Sequence, residues 1–257
     1  MSNIHDLART IREAYNGTSI GPLSAGLESP SIEMAYQIQA RNTELWRKEG
    51  RRVVGRKIGL TSHAVQRQLG VDQPDYGTLF ADMAYTDGNI ISLEGMHHPK
   101  AEVEVALVLN KNIETTEPTA IDIINATAYA LPAIEVADSR VKDWKITIFD
   151  TIADNASAGL FVLGAQPVSL SAVDLRMCGM VMTRGGEPVS TGAGAACLGH
   201  PVHAAVWLAG KMAALGEPLQ AGDVLMTGAL GPMVDIKAGD SLQASISGLG
   251  TVNASFV

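Results

Sequence analysis

The chain has 257 residues, of which 46% are hydrophobic and 18% are charged, and its formal net charge is −8. This composition is typical of a folded protein and argues against disorder. The acidic balance argues against nucleic acid as a partner, because phosphate binding depends on a basic surface. We also expect no membrane partner, since the sequence has no run of about 18 or more apolar residues.

The first 50 residues are predicted to form a helical N-terminal arm. Apolar residues recur at helical spacing over 4–14, and Gly17 ends the pattern. A second helix is expected to begin at Ser29 and Pro30, with the serine as cap and the proline in the first turn. This helix is expected to end at Gly50.

The chain start and the cysteines predict the compartment. Residues 1–6 lack the basic segment and the apolar run of a signal peptide. Cys178 and Cys197 are the two cysteines, and they lack the spacing of a metal site. We therefore expect a cytoplasmic protein with reduced, buried thiols and no disulfide.

From residue 51 onward the pattern changes to short strands and glycine turns, and we predict one α+β domain, rich in mixed β-sheet, over 51–257. A strand is expected over 53–60, followed by a short helix that ends at Gly70 and by a loop over 72–77. Two further helices are predicted over 119–130 and 201–215. The remaining C-terminal segments read as strands joined by tight turns.

Carboxylates interrupt two apolar strands in the middle of the chain. Glu102 and Glu104 lie within segment 101–109, and Glu135 lies within segment 133–137. Side chains two apart on a strand share a face about 6.6 Å apart, where two charges repel by about 2.5 kcal/mol at an effective dielectric near 20. A site that keeps them ionised and partly buried needs a hard cation such as Mg²⁺ or Mn²⁺. The alternative is the solvated face of an antiparallel sheet, and the residues alone leave both open.

Three other segments carry groups suited to catalysis or binding. Lys57 follows Arg56 in a strand, so the two side chains point to opposite faces and one of them is expected to point inward. Lys57 is either a cation that serves a substrate or catalysis, or a lysine at a strand end that extends its amine to solvent. Asp75 lies in a predicted turn, where aspartate often bonds to the local backbone. Segment 150–159 is a predicted loop whose hydroxyl and amide groups serve either a small ligand or local turns.

Motifs spread along the chain resemble those of the hydratase/decarboxylase branch of the fumarylacetoacetate hydrolase superfamily. They occur in the same order over nearly the whole chain, and they are specific together although each alone is weak. The matching segments are GRKIGLT at 55–61, LGVDQPDYG at 69–77, EVE at 102–104, DTIADNAS at 150–157 and TGALGP at 227–232.

This resemblance implies a fold and a set of roles. The fold is a mixed, rolled β-sheet core of the fumarylacetoacetate hydrolase C-terminal type with the helical arm at its N-terminus. The implied roles are metal binding by Glu102, Glu104 and Glu135, catalysis by Lys57 and Asp75, and substrate binding by Ser157 together with Asp154 and Asn155.

The resemblance also implies an activity. Members of this branch act on products of the meta-cleavage of aromatic rings, and the expected reaction is metal-dependent hydration of 2-hydroxypenta-2,4-dienoate, a small anionic dienol, to 4-hydroxy-2-oxopentanoate. The implied cofactor is Mg²⁺ or Mn²⁺. A homo-oligomer is expected, and a complex with other enzymes of the pathway is a further option.

Three alternatives stay open beside this hypothesis. The first is decarboxylation of 4-oxalocrotonate, which uses the same metal and enolate chemistry. The second, hydrolysis of a carbon–carbon bond, is disfavoured because no glutamate closely follows His63, which falls where hydrolases of the superfamily carry a water-activating histidine. The third is a non-catalytic subunit that stabilises another enzyme of the pathway.

Overall fold

The computed structural model describes residues 4–257, leaving aside the side chains of Gln68 and Leu69. Residues 1–3 lie outside this range. They are the first residues of the predicted arm and make up half of segment 1–6, which lacks the features of a signal peptide. Among the described helices, none is both long enough and apolar enough to cross a membrane.

Six α-helices and thirteen strands make up the described chain. The helices are α1 (Ile4–Ala14), α2 (Ile32–Lys48), α3 (His63–Leu69), α4 (Ala120–Ala126), α5 (Ile148–Ala153) and α6 (Pro201–Ala214). The strands are β1 (Val53–Gly59), β2 (Asp75–Phe80), β3 (Ala84–Thr86), β4 (Ile90–Ile91), β5 (Lys100–Leu109), β6 (Thr127–Ala137), β7 (Ala158–Leu163), β8 (Gly179–Arg184), β9 (Glu187–Ala193), β10 (Val224–Ala229), β11 (Val234–Asp235), β12 (Ser241–Ile246) and β13 (Gly250–Phe256).

The larger sheet has eight strands and carries the glutamates. Its order is β2-β1-β10-β5-β6-β7-β3, with β11 paired to β5. The pairs β1–β10 and β3–β7 are parallel, and the other pairs are antiparallel. This mixed sheet curls into a half-barrel, which confirms the predicted α+β fold with a rolled sheet.

A smaller sheet of five strands, ordered β4-β13-β12-β8-β9, packs beside the first. Its strands alternate between the core and solvent, as the burial of Met180 and Met182 and the exposure of Val181 show. This alternation is the pattern of a sheet with one covered face. The sheet encloses the C-terminal part of the hydrophobic core, which is continuous through both sheets.

The predicted arm packs on the half-barrel. Helix α1 buries an apolar stripe that includes Leu7 and Ile11, and both join the same core as the strands. Trp46 of α2 makes edge contacts with Tyr15 at 5.0 Å and with Phe80 of β2 at 5.7 Å between ring centroids. These contacts place α2 over α5 and β2, beside the residues described below.

The structure corrects four sequence predictions. Helix α2 begins later than expected, because Ser31 and not Ser29 caps it by accepting the Met34 amide at 3.2 Å. The helix predicted over 119–130 ends at Ala126, since residues 127–137 form β6 and pair with β5 along its length. Asp75 lies at the start of a strand and not in a turn, because it pairs with Gly59 of β1. The predicted loop 150–159 contains the end of α5.

Candidate active site

Three carboxylates meet on the inner face of the half-barrel. Glu102 lies directly opposite Glu135 in the β5–β6 ladder, and Glu104 follows two residues along β5. Opposed side chains in an antiparallel pair are neighbours on one face. Ligand oxygens of the three residues all lie within 4.8 Å of one another. The structure therefore brings the three predicted metal ligands together, and their role remains a prediction.

The cluster has more acceptor atoms than the described chain satisfies. Glu104 is fully buried and Glu135 is 1% exposed, while Glu102 is partly exposed. The amide of Gly228 donates to Glu104 Oε2 at 2.8 Å. Among described residues, Glu104 Oε1 and Glu135 Oε2 lack a hydrogen-bond partner, while Glu135 Oε1 is paired with the Lys57 ammonium at 3.1 Å. Buried acceptors of this kind are costly unless a cation completes them, and an all-oxygen set suits Mg²⁺ or Mn²⁺.

The same crowding shifts the proton affinity of the carboxylates. Burial, together with the negative charge of Glu135, raises the pKa of Glu102 to about 7 against the opposing effect of Lys57. Burial and Glu135 also raise the pKa of Glu104 well above its usual range. A divalent ion at this point would favour the ionised form of each carboxylate.

Lys57 is the inward-facing cation of β1. Its Nζ lies 3.1 Å from Glu135 Oε1 and donates to the carbonyl of Ala156 at 2.9 Å. Burial lowers the pKa of Lys57, but Glu135, Asp75 and the other carboxylates outweigh it, so the pKa lies above its ordinary value. The neighbouring Arg56 points to the opposite face, where Nη2 is 3.0 Å from Glu217 Oε2.

Asp75 faces the same interior from β2. It is 1% exposed, and neither carboxylate oxygen has a hydrogen bond of normal geometry within the described chain. Burial raises its pKa, against the lowering effects of Lys57 and of the Thr151 hydroxyl. Gly59 provides the room, because a Cβ there would lie 2.2 Å from Asp75 Oδ1 and 3.5 Å from Lys57 Nζ. Lys57 and Asp75 therefore share one compartment.

A left-handed turn after α5 closes this compartment. Asn155, Ala156 and Ser157 have φ values of 54°, 51° and 53°. Each non-glycine residue in this region costs roughly 1–2 kcal/mol, so other contacts must hold the turn. The Asn155 side chain accepts from the Thr78 amide at 2.7 Å and donates to the Thr78 carbonyl at 2.9 Å. Gly77 leaves space, because a Cβ there would lie 2.2 Å from the Asn155 carbonyl oxygen.

The three predicted substrate-binding residues differ in what they contact. Asp154 is fully buried and accepts from the Arg140 amide at 2.9 Å and from its Nε at 2.6 Å. Asn155 is bound to Thr78, as described. Ser157 is buried, and its Oγ lies 3.5 Å from Thr151 Oγ1. Asp154 and Asn155 thus use their side chains to hold the turn, and a substrate role for all three stays a prediction.

Arg140 was not identified from the sequence. It is 3% exposed and follows β6 within a short polar segment, 138–140. The available signal was the two opposite charges of Asp138 and Arg140 directly after a buried apolar strand, since charge at such a position needs a buried partner. Two histidines lie outside the cluster's contacts: His63 is exposed beside Gln66, and His97 Nε2 contacts the Ala14 carbonyl at 2.8 Å.

One known protein family matches most of the chain. Residues 52–257 match the family model described as fumarylacetoacetate (FAA) hydrolase C-terminal. The chain belongs to this family. Within the fumarylacetoacetate hydrolase C-terminal family, it is 56% identical over 241 residues to "2-keto-4-pentenoate hydratase 1" of Dechloromonas aromatica (strain RCB), covering 94% of this chain and 92% of that protein. It is 54% identical over 256 residues to "2-keto-4-pentenoate hydratase" of Burkholderia vietnamiensis (strain G4 / LMG 22486), covering 99% and 98% of the two chains.

A solved structure of this family has nearly the same fold. The 4-oxalocrotonate decarboxylase from Pseudomonas putida G7, complexed with magnesium and adipate, superposes with a TM-score of 0.95. It is 36% identical, and the match covers 99% of this chain and 97% of that one. The fumarylacetoacetate hydrolase C-terminal fold described above, including its N-terminal helices, is therefore shared over the full length.

Proposed function

We propose that the chain is a metal-dependent hydro-lyase that converts 2-hydroxypenta-2,4-dienoate to 4-hydroxy-2-oxopentanoate in the meta-cleavage catabolism of aromatic compounds. This proposal depends mainly on one observation: three clustered carboxylates share a buried compartment with Lys57 and Asp75. Two relatives more than half identical over nearly their whole length bear the name of this activity. Identity to the decarboxylase is lower, at 36%.

The cofactor proposal rests on the donor set. Glu102, Glu104 and Glu135 would hold one Mg²⁺ or Mn²⁺, and the unsatisfied oxygens of Glu104 and Glu135 support this fit. A divalent ion there supplies Lewis-acid stabilisation of the negative charge that develops on the C2 oxygen of the substrate. Three carboxylates carry one charge more than the ion neutralises, and Lys57 offsets that excess next to an anionic substrate.

The reaction needs two proton transfers to carbon and one addition of water. The dienol loses its C2 hydroxyl proton and gains a proton at C5, which leaves an α,β-unsaturated ketone. Water then adds its hydroxyl at C4, and a proton is delivered to C3. Lys57 and Asp75 are the groups that we propose for these proton transfers, because both are buried in the compartment and Asp75 has free acceptor atoms.

The turn after α5 would complete substrate binding. Ser157 is proposed to bind the substrate carboxylate, while Asp154 and Asn155 act through the turn that they hold. The burial of the turn residues excludes bulk water, which strengthens electrostatic interactions in the compartment.

The experiment is an ultraviolet assay of the purified full chain after chelator treatment. Loss of the conjugated dienol is expected with Mn²⁺ or Mg²⁺ and is expected to be at least about 100-fold slower for Lys57→Met, as for removal of a positioned proton donor. Lys145→Met, which changes an exposed lysine, is the matched control and should keep wild-type activity. Full activity of the wild type without added metal would remove the metal from the proposal.

The second candidate is 4-oxalocrotonate decarboxylation, favoured by the fold shared with the Pseudomonas putida enzyme. Release of CO₂ from 4-oxalocrotonate without hydration of the dienol would replace the hydratase proposal by this one. Inactivity on both substrates in the presence of Mn²⁺ would instead indicate the non-catalytic partner subunit.

Assembly and location are proposed separately. We propose a homo-oligomer, because Ile121 and Ile124, three residues apart on α4, are exposed apolar side chains that an interface would cover. Light scattering on the eluted protein tests this assembly. A complex with other enzymes of the pathway remains a further proposal, which co-elution with them would test. We also propose a cytoplasmic location, which suits the two free, buried thiols.

A further inference from the structure

The left-handed turn at residues 155–157 has a buried arginine at its base. Arg140 Nε lies 2.6 Å from Asp154 Oδ1, and the Arg140 amide donates to the other oxygen of that carboxylate at 2.9 Å. Its Nη2 donates to the Asp154 carbonyl at 3.0 Å and to the Ala158 carbonyl at 3.3 Å. Arg140 therefore binds the residue before the turn and the residue after it.

Arg140 itself is held in one orientation. Its guanidinium carbon lies 4.0 Å from the centroid of the Tyr15 ring, and its Nη2 donates to the Tyr15 hydroxyl at 3.0 Å. Asp138, at 3.8 Å from Nη1, adds a second carboxylate and receives the His97 and His98 amides. A guanidinium fixed on both sides makes a rigid support for the turn.

The turn also contacts Lys57 and fixes the position of its ammonium group. The Ala156 carbonyl, at the centre of the turn, accepts from Lys57 Nζ at 2.9 Å. Ala156 is the middle one of the three left-handed residues, so a change in their backbone angles would move this carbonyl relative to the lysine. The ammonium is then fixed between Ala156 and Glu135, the latter at 3.1 Å.

We propose that Arg140 is a positioning residue that aims the Lys57 ammonium, and with it Ser157, by locking the left-handed turn. The inference rests on the proposed function for the roles of Lys57 and Ser157, but the link from Arg140 to the turn stands on hydrogen bonds alone. Arg140 is not a catalytic residue, because its described polar contacts are with Tyr15, Asp138, Asp154 and Ala158.

The first test is Arg140→Lys in the full chain. Lysine keeps the charge, but it lacks the planar fork that contacts a carboxylate and two carbonyls at once. We expect kcat to fall at least about 10-fold while Mn²⁺ affinity, measured by titration, stays within about twofold of wild type, since the carboxylate cluster is untouched. The Ser157 amide, which bonds to the Asp154 carbonyl at 2.9 Å, should exchange its hydrogen faster.

A second variant approaches the turn from its other side. Asn155→Ala removes the two hydrogen bonds to Thr78 and leaves the buried ion pair intact, so it separates a loosened turn from a disrupted fold. The same signature is expected, with lower kcat, faster Ser157 exchange and unchanged Mn²⁺ affinity. Arg184→Lys, in the smaller sheet beside Asp240, is the matched control and should leave all three quantities at wild-type values.

The outcomes separate the two proposals. Wild-type kcat and wild-type Ser157 exchange in Arg140→Lys would overturn the positioning role. Equal losses of kcat, Mn²⁺ affinity and thermal stability would also overturn it, because they indicate a general structural role. If the wild type lacks hydratase activity, the proposed function fails, whereas the exchange measurement still decides whether Arg140 locks the turn.

Discussion

Replacing Glu104 by glutamine separates the charge of the acidic cluster from its shape. Glutamine keeps the volume of the side chain and an oxygen that can accept the Gly228 amide, which bonds to Glu104 Oε2 at 2.8 Å. The substitution removes one negative charge from a group of three at a fully buried position. We therefore expect opposite effects on stability with and without the divalent ion.

The distances give the size of both effects. Two full charges 4.8 Å apart, the limit for the ligand oxygens of the cluster, repel by about 3.5 kcal/mol at an effective dielectric near 20. Because burial raises the pKa of Glu104, protonation already relieves part of this repulsion, and we expect a gain of about 1–2 kcal/mol for the metal-free variant. With metal, a 100-fold weaker affinity removes about 2.7 kcal/mol of stabilisation, or about 5–11 °C in Tm.

The assay is thermal unfolding at pH 8, in chelator and then in excess Mn²⁺. Glu104→Gln should melt at or above the wild-type temperature in chelator and below it in Mn²⁺. Glu114→Gln, the same change at an exposed position, should follow the wild type in both buffers. A variant that is less stable than wild type in chelator, yet gains as much from Mn²⁺, would refute both the repulsion and the metal site.

Two further substitutions test the packing around the compartment. Gly59→Ala places a Cβ 2.2 Å from Asp75 Oδ1, so we expect loss of hydration activity and a stability loss of about 1–3 kcal/mol by chemical denaturation. The control is Gly21→Ala, whose added Cβ meets nothing within 4 Å. Wild-type activity in Gly59→Ala would contradict the role of Asp75. Burial raises the pKa of Asp154 to about 6 in the folded chain, above its value in the unfolded chain. Protonation of Asp154 therefore stabilises the native state at low pH, and this contribution is lost as the pH rises from about 4 to 6. The stability difference between wild type and Asp154→Asn should fall over that window and stay constant above it, and a difference that does not change with pH would count against the shift.

Features set by local pattern could be predicted from the sequence. The apolar period of residues 4–14 predicts α1, and the alternation around Glu102 and Glu104 predicts β5. The prediction that Arg56 and Lys57 face opposite sides is also local, because adjacent residues on a strand alternate. The rolled fold is implied by resemblance and not by periodicity, and the family match and the structure confirm it.

Features set by distant contacts could not be predicted in this way. The local pattern predicts a helix over 119–130, but pairing with β5 makes residues 127–137 a strand. Asp75 looked like a turn residue because of Pro74 and Gly77, yet β1 draws it into the sheet. The left-handed turn has no glycine at its three positions, so the composition of the segment does not predict it. The turn is held by the buried ion pair of Asp154 with Arg140, a residue from a separate segment of the sequence.

The three clustered carboxylates belong to a single long ladder, β5 with β6, whose strands are joined by residues 110–126. Lys57 lies on β1, which is separated from β5 in the sheet by β10, a strand from much later in the sequence. Short loops close at a lower entropic cost than long ones, so this hairpin should form before the strand order is complete. An ion captured by the nascent hairpin would then act as a template for the rest of the sheet, and refolding in Mn²⁺ should be faster than refolding in chelator.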